Sequence, residues 1–213
     1  MMINVKKITH IIGIDEAGRG PLAGPVAVGV ACVPKGFNWR QLPGVTDSKK
    51  LTGKKREAIF ECARGLKKEG KLEYAVSMVS AKVIDDIGIV PAVRLALQRA
   101  LQRLGVSPQA VQVKLDGSLY APKEYIHQKT IIKGDSKERV IGLASIMAKV
   151  TRDRYMVRVA TQYPQYGFEI HKGYGTKRHQ AALQQYGRCV LHRKCFTTKY
   201  TYGTVPAEFV SIS

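Results

Sequence analysis

Apolar residues recur along the chain with two periods, and these divide it into strands and helices. Ile11 to Ile14 is a short apolar run that stops at Asp15, and Pro25 to Val33 is a second, rich in Val and Ala. Both have the length and composition of buried strands and read as neighbours in one sheet. Between them, Gly18-Arg19-Gly20-Pro21 predicts a tight turn with backbone freedom at both glycines. Leu72 to Val79, the alternating Val111 to Leu115, and Gln128 to Ile132 predict further strands. Helical spacing marks Gly53 to Leu66, with Thr52 as its cap, and Pro91 to Leu104, which stops at Gly105. A long helix is expected from Ser136 to about Ala160, opened by Asp135 and Glu138 in the order of a capping box. A last helix, Lys177 to Gln185, would be capped by Thr176 and closed by Gly187. Strands mixed with helices predict an α/β fold with a mixed sheet. The expected division is a main domain over 1–163 and a small basic helical region over 164–213 packed on it.

Charge then narrows the partners. The 213 residues carry 35 Lys and Arg against 16 Asp and Glu, a formal net charge of +19. Clustered cations attract polyanions, with nucleic acid the first candidate and an anionic lipid surface the second. From Ile170 to Ala207 there is no acidic residue, but there are Lys172, Lys177, Arg178, Arg188, Arg193, Lys194 and Lys199. Charge of one sign over that length is expected to form a binding surface. A lipid-surface role lacks an amphipathic anchor, and no apolar run is long enough to span a bilayer. The N-terminal apolar run meets Asp15 and Glu16 instead of a small-residue cleavage site, so it is not a secretory signal and the cytoplasm is expected. Cys32, Cys62, Cys189 and Cys195 match no zinc spacing, although two of them lie near His192, and reduced thiols are expected.

In so basic a chain, acids that end apolar strands stand out. Asp15-Glu16 closes one strand and Asp116 another, and strand ends are where α/β sheets gather ligands. Carboxylates brought together repel unless cations lie between them. Hard ions such as Mg²⁺ or Mn²⁺ take oxygen ligands and, in pairs, clamp a phosphodiester during cleavage. Basic surface and clustered acids together point to a metal-dependent nuclease. The plainer alternative is that Asp116-Gly117 is turn chemistry and Asp135 a helix cap. A metal-free glycosidase pair leaves the positive charge without a purpose.

Specific strings carry the reading further. GIDEAGRGPLAGPV (Gly13 to Val26), TDSKKL (Thr46 to Leu51), LDG (Leu115 to Gly117), KGDSK (Lys133 to Lys137), ASIMAKVTRDR (Ala144 to Arg154) and YPQYGFEIHKGYGTKRH (Tyr163 to His179) follow in that order. Together they resemble the ribonuclease HII family over most of the chain. The resemblance implies a ribonuclease-H-like α/β fold with a C-terminal helical region. It also implies an enzyme that cuts the RNA strand of RNA/DNA hybrids and cuts 5′ to single ribonucleotides in duplex DNA. Its metal ligands would be Asp15, Glu16, Asp116 and Asp135, using Mg²⁺ or Mn²⁺. Asp153 competes for the fourth place, but it sits mid-helix one turn from Lys149, where an ion pair is ordinary. Gly18, Arg19 and Gly20 would read the ribose 2′-hydroxyl through backbone groups, because glycines allow close approach to a sugar. Tyr174 would pack on the following deoxyribose, with Gly173 and Gly175 favouring its exposure. Ser48, Lys49 and Lys50 resemble a phosphate-contacting block. The ribonuclease HIII class fits less well, since Asp15 comes too early for that class's added N-terminal domain. The enzyme is expected to act as a monomer. The rival reading is a non-catalytic hybrid-binding protein, which the charge supports but the acids do not.

Overall fold

The computed structural model describes residues 7–45 and 48–200. Its sheet runs β3-β2-β1-β4-β5, made of β1 (His10–Ala17), β2 (Val26–Pro34), β3 (Glu73–Val79), β4 (Val111–Asp116) and β5 (Gln128–Ile131). β1 and β2, and β2 and β3, pair antiparallel, whereas β1 with β4 and β4 with β5 are parallel. This is the mixed sheet that the sequence predicts. The helices are α1 (Gly53–Lys68), α2 (Ala81–Ile87), α3 (Ile89–Leu104), α4 (Gly134–Lys137), α5 (Arg139–Ala160), α6 (Phe168–His171), α7 (Lys177–Tyr186) and α8 (Lys194–Thr197).

Alternation along the strands builds two cores. Ile12, Ile14, Val28, Val30, Val113 and Leu115 face α3, where they meet Val93, Ala96, Leu97 and Leu101. The intervening positions face α1 and α5, with Ala31 and Val33 against Ile59, Phe60, Ile141, Ala144 and Met147. α5 crosses this second face at backbone contact. A methyl group added at Gly13 would lie 2.1 Å from the Val140 carbonyl, and one at Gly29 2.3 Å from that of Ala144. A third cluster joins Ala23 and Met156, Val159 and Ala160 of α5 to Tyr166, Phe168 and Ala182. It seats the C-terminal elements beside the turn between β1 and β2.

Three local expectations change. The long helix is broken: α4 ends at Glu138, whose backbone is extended (φ −124°, ψ 111°), and α5 starts at Arg139. No capping box forms, because the Glu138 carboxylate pairs with Lys114 at 2.8 Å instead of reaching back to its own helix. α2, capped by Ser80, was not anticipated. Of the two glycines in Gly18-Arg19-Gly20-Pro21, only Gly18 has positive φ (+83°), and Gly24 further along the same connection also does (+86°). The remaining helices end close to where their caps predict, with Thr52 and Thr176 accepting from Lys55 and His179 backbone N–H groups. Thr46, Asp47 and the tail from 201 onward, including the last part of the acid-free basic segment, lie outside the described residues.

Candidate active site

The parallel register of β1 and β4 sets the site. Ile14 lies beside Leu115, so Asp15 and Asp116 follow as the next residues of adjacent strands. Pleating turns both away from the α3 core, toward α4 and α5. The Asp116 Oδ1 accepts a hydrogen bond from the Gly134 N–H at 2.6 Å, which ties β4 to the start of α4, where Asp135 follows in the chain. Asp15 and Asp135 are each only 5% exposed. Glu16 remains half-buried, with Arg19 3.6 Å away.

Electrostatics in this corner are unfavourable for bare carboxylates. Burial pushes Asp15 up to about 8, and the neighbouring charges of Glu16 and Asp116 act in the same direction. Burial raises Glu16 as well, with Asp116 adding to it and Arg19 opposing it. Two neighbouring carboxylates whose charged forms are disfavoured, Asp15 and Glu16, are oxygen ligands of the kind that a hard divalent cation stabilises. Among the described residues no three His, Cys, Asp or Glu side chains are gathered closely enough to hold a metal ion as they stand.

Two hydroxyls extend the network inward. Ser145 on α5 hydrogen-bonds Asp15, and its Oγ lies 2.8 Å from that of Ser48. Arg56 donates to the Ser48 and Leu51 carbonyls at 2.7 and 2.6 Å, holding the 48–51 segment in place. Ser48 is therefore turned into the protein, and solvent-facing cations in that block come from Lys49 and Lys50. The Lys49 ammonium lies 3.9 Å from the Asp135 carboxylate. Asp153 pairs with Lys149 at 2.9 Å on α5.

The opposite rim is the Gly18-Arg19-Gly20 turn and the 171–176 loop. Tyr174 is 42% exposed, with the Lys149 ammonium 5.4 Å from its ring centre. The loop carrying it is fixed from beneath by neutral imidazoles. His171 accepts from the Gly173 N–H and donates to the Tyr166 carbonyl. His179 donates through Nδ1 to the Tyr174 carbonyl at 2.9 Å. Cys189 Sγ lies 3.2 Å from His192, while Cys195 is exposed elsewhere, and all four cysteines are free thiols.

Two arginines run against expectation. Arg152 and Arg193 are both 0% exposed, so Arg193 is no part of the basic binding surface. Arg152 donates to the Pro25, Lys172 and Ala23 carbonyls, and Arg193 to those of Gly24, Arg19 and Gly18. Sequence reasoning missed these residues, along with Ser145 and His192, because charge is read as surface until a partner is visible. The one available signal was their place inside or beside the quoted motifs. The exposed remainder of the basic segment is Lys177, Arg178, Arg188, Lys194 and Lys199.

A mixed five-stranded sheet with acids at the ends of β1 and β4 and on α4 defines a ribonuclease-H-like enzyme. The family model for ribonuclease HII matches residues 12–204, and the chain belongs to that family. A ribonuclease HII from Caldicellulosiruptor bescii is 50% identical over 186 residues, covering 87% of this chain and 85% of the relative. The crystal structure of ribonuclease H2 from Pyrococcus horikoshii OT3 superposes with a TM-score of 0.69 at 29% identity, over 90% of this chain and 96% of that one. The fold also matches Bst-RNase HIII in complex with Mn²⁺, with a TM-score of 0.69 at 18% identity, over 91% of this chain and 69% of that one. The protein is accordingly a metal-dependent endoribonuclease of the ribonuclease H type. No helix among the described residues is long and apolar enough to cross a membrane.

Proposed function

We propose that the chain cuts the RNA strand of RNA/DNA hybrids, and duplex DNA 5′ to single embedded ribonucleotides, leaving 3′-hydroxyl and 5′-phosphate ends. The observation that carries this reading is that Asp15 and Asp116 end adjacent strands on one face, with Gly134, the chain neighbour of Asp135, hydrogen-bonded to Asp116. Asp15, Glu16, Asp116 and Asp135 would hold two divalent cations, magnesium or manganese. Bound there, such ions would supply a lowered pKa for a nearby water and countercharge for the 3′-oxygen.

The protein's own groups do the positioning. Gly134 N–H fixes the Asp116 carboxylate, and Ser145 with the Glu16 N–H fixes that of Asp15, so the ligands are aimed before substrate arrives. Lys49 and Lys50 draw phosphates to the same mouth. The Gly18-Arg19-Gly20 backbone approaches the ribose, where a 2′-hydroxyl separates RNA from DNA. Tyr174 offers a ring to the adjoining deoxyribose.

One assay tests the reading. DNA duplex holding a single ribonucleotide is incubated with the protein and Mg²⁺, with and without EDTA. Cleavage 5′ to the ribonucleotide that stops with EDTA is expected. Binding without any metal-dependent cut would favour a hybrid-binding protein and end the proposal.

A further inference from the structure

We infer that Arg193 is a positioning residue for substrate discrimination, buried behind the Gly18-Arg19-Gly20 turn so as to aim the N–H groups of Arg19 and Gly20 at the ribose. The inference rests on the reading of that turn as the ribose contact. It names the side chain that gives the turn its selectivity.

The geometry follows from the peptide bond. Arg193 donates from one terminal nitrogen to the Arg19 carbonyl at 2.8 Å and from the other to the Gly18 carbonyl at 2.6 Å. Both carbonyls are thereby turned inward. In a planar trans peptide the C=O and the next N–H point in opposite directions. The Arg19 and Gly20 N–H groups are therefore turned outward, and neither finds a partner among the described residues. Two backbone donors held side by side on a rigid turn make a ready contact for a hydroxyl or phosphate oxygen. The third Arg193 bond, Nε to the Gly24 carbonyl at 3.0 Å, anchors the fork to the far end of the same loop. Arg152 locks it from the other side: a methyl group at Gly18 would come within 2.0 Å of the Arg152 Nε.

Stability alone is a poor account of this arrangement. A buried cation whose hydrogen bonds all go to carbonyls, with the Phe196 ring 5.2 Å away, is costly to desolvate. Here the cost is compounded, because burial and the nearby Arg152 push Arg193 down to about 9. It keeps its charge at neutral pH all the same. Only the planar guanidinium presents separate donors in a fixed fork that can turn two successive carbonyls at once.

The test measures affinity rather than turnover. In an Asp116→Asn background that blocks cutting, fluorescence anisotropy gives dissociation constants for two labelled duplexes, one all DNA and one with a single ribonucleotide. The background protein should prefer the ribonucleotide by about tenfold, as two neutral hydrogen bonds allow. Arg193→Gln should erase most of that preference while leaving all-DNA affinity nearly unchanged. Arg193→Lys, which keeps the charge but loses the fork, should restore folding before it restores preference, and it decides the matter if the Gln variant fails to fold. Val93→Ala, in the distant α3 core, supplies a destabilised control whose preference should stay intact. An unchanged preference in folded Arg193→Lys, or an equal fall in Val93→Ala, overturns the inference. A background protein with no preference at all removes the turn as ribose contact, and that result is distinguishable because it precedes any change at Arg193.

Discussion

The Nε2 atoms of His179 and His192 lie 3.0 Å apart beneath Tyr174, so one ring must donate and the other accept. Their outer partners settle which. The Cys189 N–H donates to His192 Nδ1 at 3.0 Å, so that nitrogen is bare and His192 carries its proton on Nε2. The Tyr174 carbonyl can only accept, so His179 is protonated at Nδ1 and receives at Nε2. The chain runs in one direction and holds only while both rings are neutral.

A pH dependence follows from that chain. Burial pushes His192 from 6.5 down to about 3 and His179 down to about 4, with the neighbouring imidazoles and Arg188 acting in the same direction. Below pH 6.5 the unfolded chain takes up protons that the folded chain refuses, so these rings favour unfolding as pH falls. Their contribution is complete above 6.5 and is lost progressively toward about 4 and 3. Proton NMR should show both rings neutral, each with a single N–H, in the folded protein at pH 5.5. A ring titrating near its ordinary value of 6.5 would refute the chain.

Replacing Asp116 with Asn should nearly abolish cleavage while leaving hybrid binding within about threefold. The amide keeps the oxygen that accepts from Gly134 but surrenders the charge needed to hold a cation. Single-turnover cleavage and anisotropy on the same hybrid separate the two effects. Full activity in this variant would remove Asp116 from the site.

How much of this could be read in the sequence depends on how local each cause is. Strand alternation and the caps at Thr52, Thr176 and Gly105 are local, and they located β1, β2, α1, α3 and α7 to within a few residues. The acids at the ends of β1 and β4 were legible for the same reason, since a carboxylate closing an apolar run stands out from the residues before it. The break between α4 and α5 was not, because Glu138 there pairs with Lys114, distant in sequence and adjacent only after β4 joins the sheet. α2 was missed because seven residues carry too little periodicity to be separated from the strand before them. Arg152 and Arg193 were the hardest, as their partners are backbone carbonyls that have no side-chain signature.

The two glycines of the turn should respond differently to alanine. Gly18 sits at φ +83°, and a methyl there would press on Arg152, so Gly18→Ala should cost about 3 kcal/mol from strain and displacement together. At Gly20 a methyl meets nothing within 4 Å and the backbone is ordinary, so Gly20→Ala should stay within about 0.5 kcal/mol of the parent. Urea denaturation of both variants makes the comparison. Equal losses would mean that Arg152 does not fill the space behind Gly18.

Salt should weaken duplex binding steeply, because Lys177, Arg178, Arg188, Lys194 and Lys199 are all exposed on the C-terminal elements, where they can meet phosphates. Each phosphate neutralised by such a side chain releases counterions, and the logarithm of affinity falls by roughly 0.9 per contact for each decade of salt. If about five contacts form, raising salt fourfold should cost about two to three orders of magnitude in affinity. Lys177→Glu with Arg178→Glu should flatten that slope by about two contacts without altering the metal requirement of cleavage, since neither residue touches the acids of β1, β4 or α4. The slope is read from anisotropy titrations at several salt concentrations. A slope indifferent to both the salt range and the double variant would move the docking surface away from α7 and toward Lys49 and Lys50, at the mouth of the carboxylate cluster.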